Sequence, residues 1–183
     1  MRVISGTAKG TKLNSIDDLA TRPTLDRVKE SLFNIVQHRI DDSIVLDLFA
    51  GSGAIGIEFL SRGCRTAYLC DNSNKAVNMI HQNLERTKLK ENAIVLNQDY
   101  KRCLQYLSKQ GIVFDLIFID PPYKDDIAVS SVDLILSLKL LKKDGIIIIE
   151  TDEKNREIEN LKNLDIEVYD IRKYGRANLI FLS

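Results

Sequence analysis

The chain has 183 residues, 44% of them hydrophobic, which suits one domain with a well-buried core and is too short for two full ones. Basic and acidic residues are equal at 26 each, so bulk charge does not support a nucleic-acid partner and any such partner must be recognised by local charge. Three cysteines without paired spacing, no metal-binding histidine pattern, no signal peptide and no membrane-spanning apolar stretch predict a reduced cytoplasmic protein without metal or membrane.

The N-terminal segment is predicted to form a basic β-hairpin. Residues 1–15 alternate loosely around a turn at 7–10, and their charged residues are Arg2, Lys9 and Lys12. These residues are either a solvated sheet edge protected by lysine or a finger that touches phosphates. Charge alone does not decide between the two.

An amphipathic helix is predicted next, from about residue 23 to residue 38. Pro23 suits its first turn, Thr21 or Thr24 can cap it, and Arg22 just before it could reach an anionic group. We therefore expect residues 1–40 to be an appendage of hairpin and docking helix, and residues 41–183 to form the main domain.

The main domain alternates strands with helices. This order predicts an α/β, Rossmann-like fold with a mostly parallel, doubly wound sheet of seven strands that ends in an antiparallel hairpin. Helices are predicted at 54–61, 127–141 and 153–163, among others, and strands at 44–46, 66–70, 93–96, 114–119, 146–149, 166–171 and 178–182.

A glycine-rich turn follows the first of these strands. Its Gly-x-Gly-x-x-Gly spacing, at Gly51, Gly53 and Gly56, lets the backbone approach a nucleotide-like cofactor closely. A dinucleotide site would point bare N–H groups at a pyrophosphate, which the carboxylate of Asp47 at the strand end would repel. S-adenosylmethionine has no phosphate but carries an ammonium and a sulfonium, so Asp47 favours that cofactor.

Acidic residues also follow the next two strands. Asp71 can accept hydrogen bonds from two ribose hydroxyls, and Asp99 is suitably placed to hold the adenine amino group. Singly, each of these carboxylates could be a helix N-cap or a turn residue. Together with the glycines they predict an S-adenosylmethionine site, in which we also include Phe49, Asn72 and Tyr100.

The fourth strand leads into the chemical motif Asp120-Pro121-Pro122-Tyr123. Ligands of doubly wound sheets bind beyond the carboxyl ends of the strands. A carboxylate and a rigid carbonyl that accept the two hydrogens of an exocyclic amine would localise its lone pair and direct it at a methyl group. Tyr123 offers a ring on which a base could stack. A rigid turn is the alternative, but with the upstream glycines the motif favours amine methylation, with Asp120, Pro121 and Tyr123 as the catalytic set.

The chain resembles the RsmD family, bacterial methyltransferases that act on the guanine N2 amine of small-subunit (16S) ribosomal RNA. The resemblance runs nearly end to end, through MRVISG, TRPT-x-DRV-x-E-SLFN at 21–34, DLFAGSGAIGIE at 47–58 and FIDPPY at 118–123. It implies a class I S-adenosylmethionine-dependent fold, donor contacts from Asp47, Gly51, Gly53, Asp71 and Asp99, and a target-amine role for Asp120 with Tyr123 at the base. It also implies that Arg22 and Thr24 help form the pocket and that the hairpin meets RNA.

Other functions remain open on sequence grounds. An adenine-N6 methyltransferase acting on DNA or RNA would use the same chemistry, although DNA enzymes usually add a recognition domain. A dinucleotide-dependent oxidoreductase is disfavoured by Asp47, and a non-catalytic ribosome-assembly factor by the intact motif at Asp120. The zero net charge suggests that a small-subunit assembly particle, rather than free RNA, is the partner. The target nucleotide and the oligomeric state do not follow from the sequence.

Overall fold

The fold is an α/β sandwich around a seven-stranded sheet. The computed structural model describes residues 1–15, 23–122 and 126–183, with only the backbone described for 23–26. The strands are β1 (Ile44–Asp47), β2 (Thr66–Asp71), β3 (Ala93–Asn97), β4 (Phe114–Ile119), β5 (Leu141–Thr151), β6 (Val168–Tyr174) and β7 (Ala177–Leu182). The helices are α1 (Pro23–Val36), α2 (Ala54–Ser61), α3 (Asn74–Thr87), α4 (Tyr100–Lys109), α5 (Ile127–Ser137) and α6 (Lys154–Leu161).

The sheet has the strand order β3-β2-β1-β4-β5-β7-β6. The first five strands pair in parallel, and β7 runs antiparallel to both β5 and β6. This confirms the predicted parallel sheet with its C-terminal hairpin. Because the order reverses between β1 and β4, a crevice opens at the carboxyl ends of these two strands, where ligands of such sheets bind.

Helices cover both faces of the sheet, and each face has its own hydrophobic core. One core contains Leu32 of α1, Ile57 of α2 and Ile80 of α3. The other contains Leu104 of α4 and Val132 of α5. The central strands therefore carry apolar side chains on both faces, which explains why β4 and most of β5 read as continuous apolar runs. In the described part of the chain, no helix is both long and apolar enough to span a bilayer.

The boundary between α5 and β5 differs from the prediction. The predicted helix 127–141 ends at Ser137, because Lys139 adopts a left-handed conformation with a φ of 54°. The predicted strand 146–149 in turn begins earlier, at Leu141, which pairs with Phe114 before the register shifts toward Leu116. The apolar residues between 138 and 141 fit a helical spacing equally well, so the pattern alone placed them in the wrong element.

The N-terminal segment does not form the two strands of the predicted hairpin. It forms a compact loop closed by a single antiparallel bridge between Arg2 and Lys12. Its apolar residues Val3, Ala8 and Leu13 are buried in the same core as α1 and the sheet. The segment therefore packs on the main domain, and the division at residue 40 stays a prediction.

Glu58 of α2 fastens this segment. Its fully buried carboxylate accepts hydrogen bonds from the backbone N–H groups of Ile4 at 2.8 Å and Ser5 at 2.9 Å. The same carboxylate forms ion pairs with Lys29, whose Nζ is 2.9 Å from Oε2, and with Arg62, whose Nε is 2.8 Å from Oε1. Burial alone would raise the pKa of Glu58, but the Lys29 ammonium and the hydrogen bonds outweigh it and hold the pKa below its ordinary value. A buried charge of this kind is stable only while its partners remain.

Two glycines of the segment give a matched test of this packing. Gly6 and Gly10 both have a φ of +83°, but a Cβ on Gly6 would lie 1.7 Å from the Ser61 carbonyl oxygen, whereas a Cβ on Gly10 would meet nothing within 4 Å. We expect Gly10→Ala to cost only the left-handed strain, about 1–2 kcal/mol. Gly6→Ala should cost at least about 3 kcal/mol, because backbone atoms must also move. Urea unfolding of both variants checks this, and equal losses would contradict the described contact with α2.

Candidate active site

One cleft opens at the carboxyl ends of β1, β4 and β5. From the sheet side it is lined by Asp47, Phe49, Gly51, Asp120 and Glu150, and from the other side by Met1 and by Lys29 and Leu32 of α1. The structure thus brings together the glycine turn and the Asp120 motif, which lie about seventy positions apart in the chain. It also places the start of the chain at the edge of the same cleft.

Carboxylates hold the glycine turn by its backbone. Asp47 Oδ2 accepts a hydrogen bond from the N–H of Gly56 at 2.9 Å. Asp71 Oδ2 accepts one from the N–H of Gly51 at 2.9 Å, and its Oδ1 accepts one from the N–H of Ser73, also at 2.9 Å. The turn is therefore tied to the ends of both β1 and β2, and each aspartate keeps further lone pairs for a ligand.

The turn leaves room for a ligand at Gly51. This residue has a φ of +54°, and a Cβ built on it would contact nothing within 4 Å. Gly53 caps α2 instead, packed within 3.1 Å of Leu69 and 3.2 Å of Ile80 by the same measure. The backbone at Gly51 therefore faces the cleft, while that at Gly53 faces the core.

Three carboxyl groups share this cleft, and each has a raised pKa. Burial, and then the charge of Asp71, outweigh the Gly56 hydrogen bond and raise the pKa of Asp47 to about 7. Burial raises the pKa of Glu150 to about 7. The pKa of Asp120 is raised well above its ordinary value by burial and by the charges of Glu150 and Asp47.

This set of side chains fits a cationic ligand. A positive charge in the cleft would stabilise the ionised carboxylates that burial and mutual repulsion disfavour. An anionic pyrophosphate would instead be repelled by these carboxylates. No three or more histidine, cysteine, aspartate or glutamate side chains form a metal-binding group in the described ranges. The sulfonium and ammonium groups of S-adenosylmethionine therefore suit the residues present.

The remaining predicted donor-binding residues lie along the β2–β3 side. The ring centroids of Phe49 and Tyr100 are 5.7 Å apart, and the two ring planes are tilted relative to each other. Asn72 is exposed. Asp99 is the N-cap of α4, where Oδ1 accepts hydrogen bonds from the N–H of Lys101 at 3.0 Å and of Arg102 at 3.2 Å. Its predicted contact with adenine stays a prediction, since an N-cap was the alternative interpretation.

The structure describes only some of the other predicted residues. Arg22 and Tyr123 are outside the described residues, as is the side chain of Thr24. Pro121 directly follows Asp120 and is buried. The basic residues of the N-terminal segment are exposed outside the cleft, two of them around a separate groove beside Glu30; they are Arg2, Lys9 and Lys12.

Glu150 was not predicted from the sequence. It lies near the end of β5, buried to 8% exposure, and among the described residues its charge contributes most to raising the pKa of Asp120. The sequence did carry the signal, because Glu150 follows a continuous apolar run, as Asp47 does. Parallel strands that end in an acid deliver that acid to the same edge of the sheet.

Comparisons with known proteins agree with this geometry. The whole chain, residues 1–183, matches the family described as "Conserved hypothetical protein 95". It is 42% identical over 159 residues to "Putative rRNA methyltransferase YlbH" of Bacillus subtilis, covering 87% of this chain and 85% of that protein. It is 36% identical over 154 residues to "Ribosomal RNA small subunit methyltransferase D" of Haemophilus influenzae, covering 84% and 79%. The solved structure "Putative methyltransferase yhhF from Escherichia coli" superposes with a TM-score of 0.81 at 27% identity, covering 100% of this chain and 96% of that chain.

The raised pKa of Glu150 has a measurable consequence for stability. The unfolded chain ionises this group near its ordinary pKa of 4.5, whereas the folded protein holds it neutral up to about 7, so its contribution to stability falls as the pH rises between these values. Without ligand, Glu150→Gln should therefore gain about 1–3 kcal/mol at about pH 8, and less at about pH 5. Denaturant unfolding at both pH values checks this against exposed Glu91→Gln. A gain independent of pH would contradict the assignment.

Proposed function

Because this chain belongs to the family described as conserved hypothetical protein 95, the RsmD family, we propose that it methylates ribosomal RNA. In this proposal it transfers a methyl group from S-adenosylmethionine to the exocyclic N2 amine of a guanine in 16S RNA. The observation that carries the proposal is the shared cleft of Asp120 with Asp47 and the backbone of Gly51. The acceptor residue and the predicted donor-binding turn thus face one space.

The donor would lie along the glycine turn. Asp47 and the open backbone at Gly51 would face its amino-acid portion, and Asp71 its ribose. Phe49 and Tyr100 present apolar ring surface beside this path. The bound donor supplies an electrophilic methyl group on a positively charged sulfur, which is a good leaving group. The protein's contribution is mainly to position the acceptor in line with that group.

Asp120 would orient the acceptor amine. Its carboxylate accepts one hydrogen of the amine, and the rigid carbonyl of Pro121 can accept the other, so that the nitrogen lone pair points at the methyl group. The charge of the donor favours the ionised form of Asp120 before transfer. As the C–N bond formed, the bond between the methyl carbon and the sulfur would break, leaving a neutral thioether. The positive charge would then lie on the amine nitrogen, which would become acidic. Asp120 can then take the proton, as its tendency to be protonated in this cleft allows.

The substrate assignment rests on the relatives. "Ribosomal RNA small subunit methyltransferase D" is the name of the Haemophilus influenzae relative. Because this chain has zero net charge, we infer that it recognises proteins of the substrate particle as well as RNA. The substrate would then be an assembling small subunit in the cytoplasm.

Transfer of labelled methyl from S-adenosylmethionine tests the proposal directly. Ribosomal RNA, small-subunit particles and DNA are compared in parallel, and the modified nucleoside is identified by mass spectrometry. We expect N2-methylguanosine in small-subunit RNA, with particles better than free RNA. N6-methyladenine in any substrate would instead support the alternative amine, and equal rates on free RNA and particles would remove the role of assembly.

Two aspartates should separate catalysis from donor binding. Asp120→Ala should lower kcat by at least about a hundredfold while the donor affinity changes by less than about threefold, because Asp120 serves the acceptor. Asp71→Ala should weaken donor binding about tenfold, because it removes both a predicted ribose contact and the anchor of Gly51. Calorimetry and single-turnover rates measure the two effects, with exposed Asp144→Ala as the control. Equal losses of donor affinity in the two variants would overturn this division of roles.

A further inference from the structure

A second concavity, of about 470 Å³, lies beside the cleft. It is formed where β5 passes into α6 and where β6 turns into β7. Lys154 at the start of α6 lines it, together with Lys173 and Arg176 on the two sides of the β6–β7 turn. We call this concavity the β6–β7 groove. It holds none of the residues assigned above to the donor or the acceptor.

The three cations of the groove are available to a ligand. Lys154, Lys173 and Arg176 form no ion pair with any carboxylate of the described ranges, although other cations nearby do. The neighbouring Arg172, for example, is paired with Asp170 at 2.9 Å. Around the groove, cations also outnumber the two lining carboxylates. An anion that entered it would therefore meet three positive charges without first breaking a salt bridge.

The groove borders the cleft directly. Asp152 lines the groove, and its charge is one of those that raise the pKa of Asp120. Asn178 of β7 also lines the groove, and it pairs with Thr151 of β5. The residue before Thr151, Glu150, lines the cleft. A chain leaving the cleft past the end of β5 thus runs over these cations.

The scaffold of the groove is held in place by side-chain contacts. The hydroxyl of Tyr174, the last residue of β6, is hydrogen-bonded to the Ser31 hydroxyl of α1. The Asn178 amide donates to the carbonyl oxygens of Thr151 at 3.2 Å and Arg176 at 3.1 Å. Lys173 and Arg176 therefore project from an ordered turn, which lowers the entropy lost on binding.

We propose that the β6–β7 groove binds a phosphodiester group of the RNA strand, next to the nucleotide whose base enters the cleft. This inference rests on the proposed function. A guanine amine can reach Asp120 only when the base is unstacked, and the strand on each side of an unstacked base must then be held by its backbone. Lysine and arginine supply such contacts without reading sequence. A protein of zero net charge must place them locally, as this groove does.

The double variant Lys173→Ala/Arg176→Ala tests the inference. Its matched control is Lys109→Ala/Lys143→Ala, which removes the same charge from two exposed residues. Lys109 ends the helix before β4 and Lys143 lies near the start of β5, so both are toward the amino ends of the strands. Binding of a short fluorescein-labelled single-stranded RNA is measured by anisotropy at several salt concentrations. Steady-state methylation of small-subunit RNA gives KM and kcat separately, and calorimetry with S-adenosylmethionine verifies that the donor site is intact.

We expect the groove variant to weaken RNA binding and raise KM by about tenfold, with kcat and donor affinity within about twofold of the parent. The slope of log Kd against log salt should fall by about 0.7, the amount lost with one single-strand phosphate contact. RNA binding and salt slope equal to those of the control variant would overturn the inference. If the parent protein binds RNA through the groove but methylates none, the proposed function fails while the groove assignment stands.

Discussion

The hydrogen bonds from the glycine turn to Asp47 and Asp71 are the contacts on which the cleft depends. Each joins a carboxylate at the end of a parallel strand to a backbone N–H, of Gly56 and of Gly51 respectively. They fix the turn against two strands at once, so the backbone at Gly51 remains open to the cleft instead of collapsing onto the sheet. A side chain at Gly56 would press against Leu69 at 2.7 Å, which is why the helix can approach the strand this closely only with glycine there.

The same edge of the sheet carries an unfavourable electrostatic arrangement. Asp47 and Glu150 are buried, Asp120 beside them is partly buried, and each of the three has a raised pKa. A ligand-free protein therefore loses stability there when the carboxyls ionise, and the Gly56 hydrogen bond offsets only part of this loss. Natural proteins keep such strain at functional sites. A cationic donor would attract these carboxylates, whereas they repel one another without it. The groups that destabilise the ligand-free protein are therefore the ones that would bind the donor.

The strand pattern was predictable because it is local. Apolar runs with an acid at the end identified β1 and β2, and the topology follows from their alternation with helices. The attachment of the N-terminal segment was not predictable, because Ile4 and Ser5 meet Glu58 more than fifty residues later in the chain. Such a contact is invisible to periodicity. It nevertheless shapes the site, since Lys29 belongs both to the Glu58 cluster and to the lining of the cleft.

Glu150 marks the limit of a motif-based prediction. Asp47 and Asp120 were selected because each accompanies a known motif, and Asp71 because it follows the apolar run of the next strand. Glu150 also follows an apolar run but was not selected. The physical rule behind the selection is more general, because every parallel strand brings its carboxyl end to the same edge. Applied consistently, this rule would have included Glu150. It would still have missed the β6–β7 groove, because Lys173 and Arg176 lie at the turn between two antiparallel strands. That turn reaches the carboxyl ends of the parallel strands only because β7 is inserted beside β5.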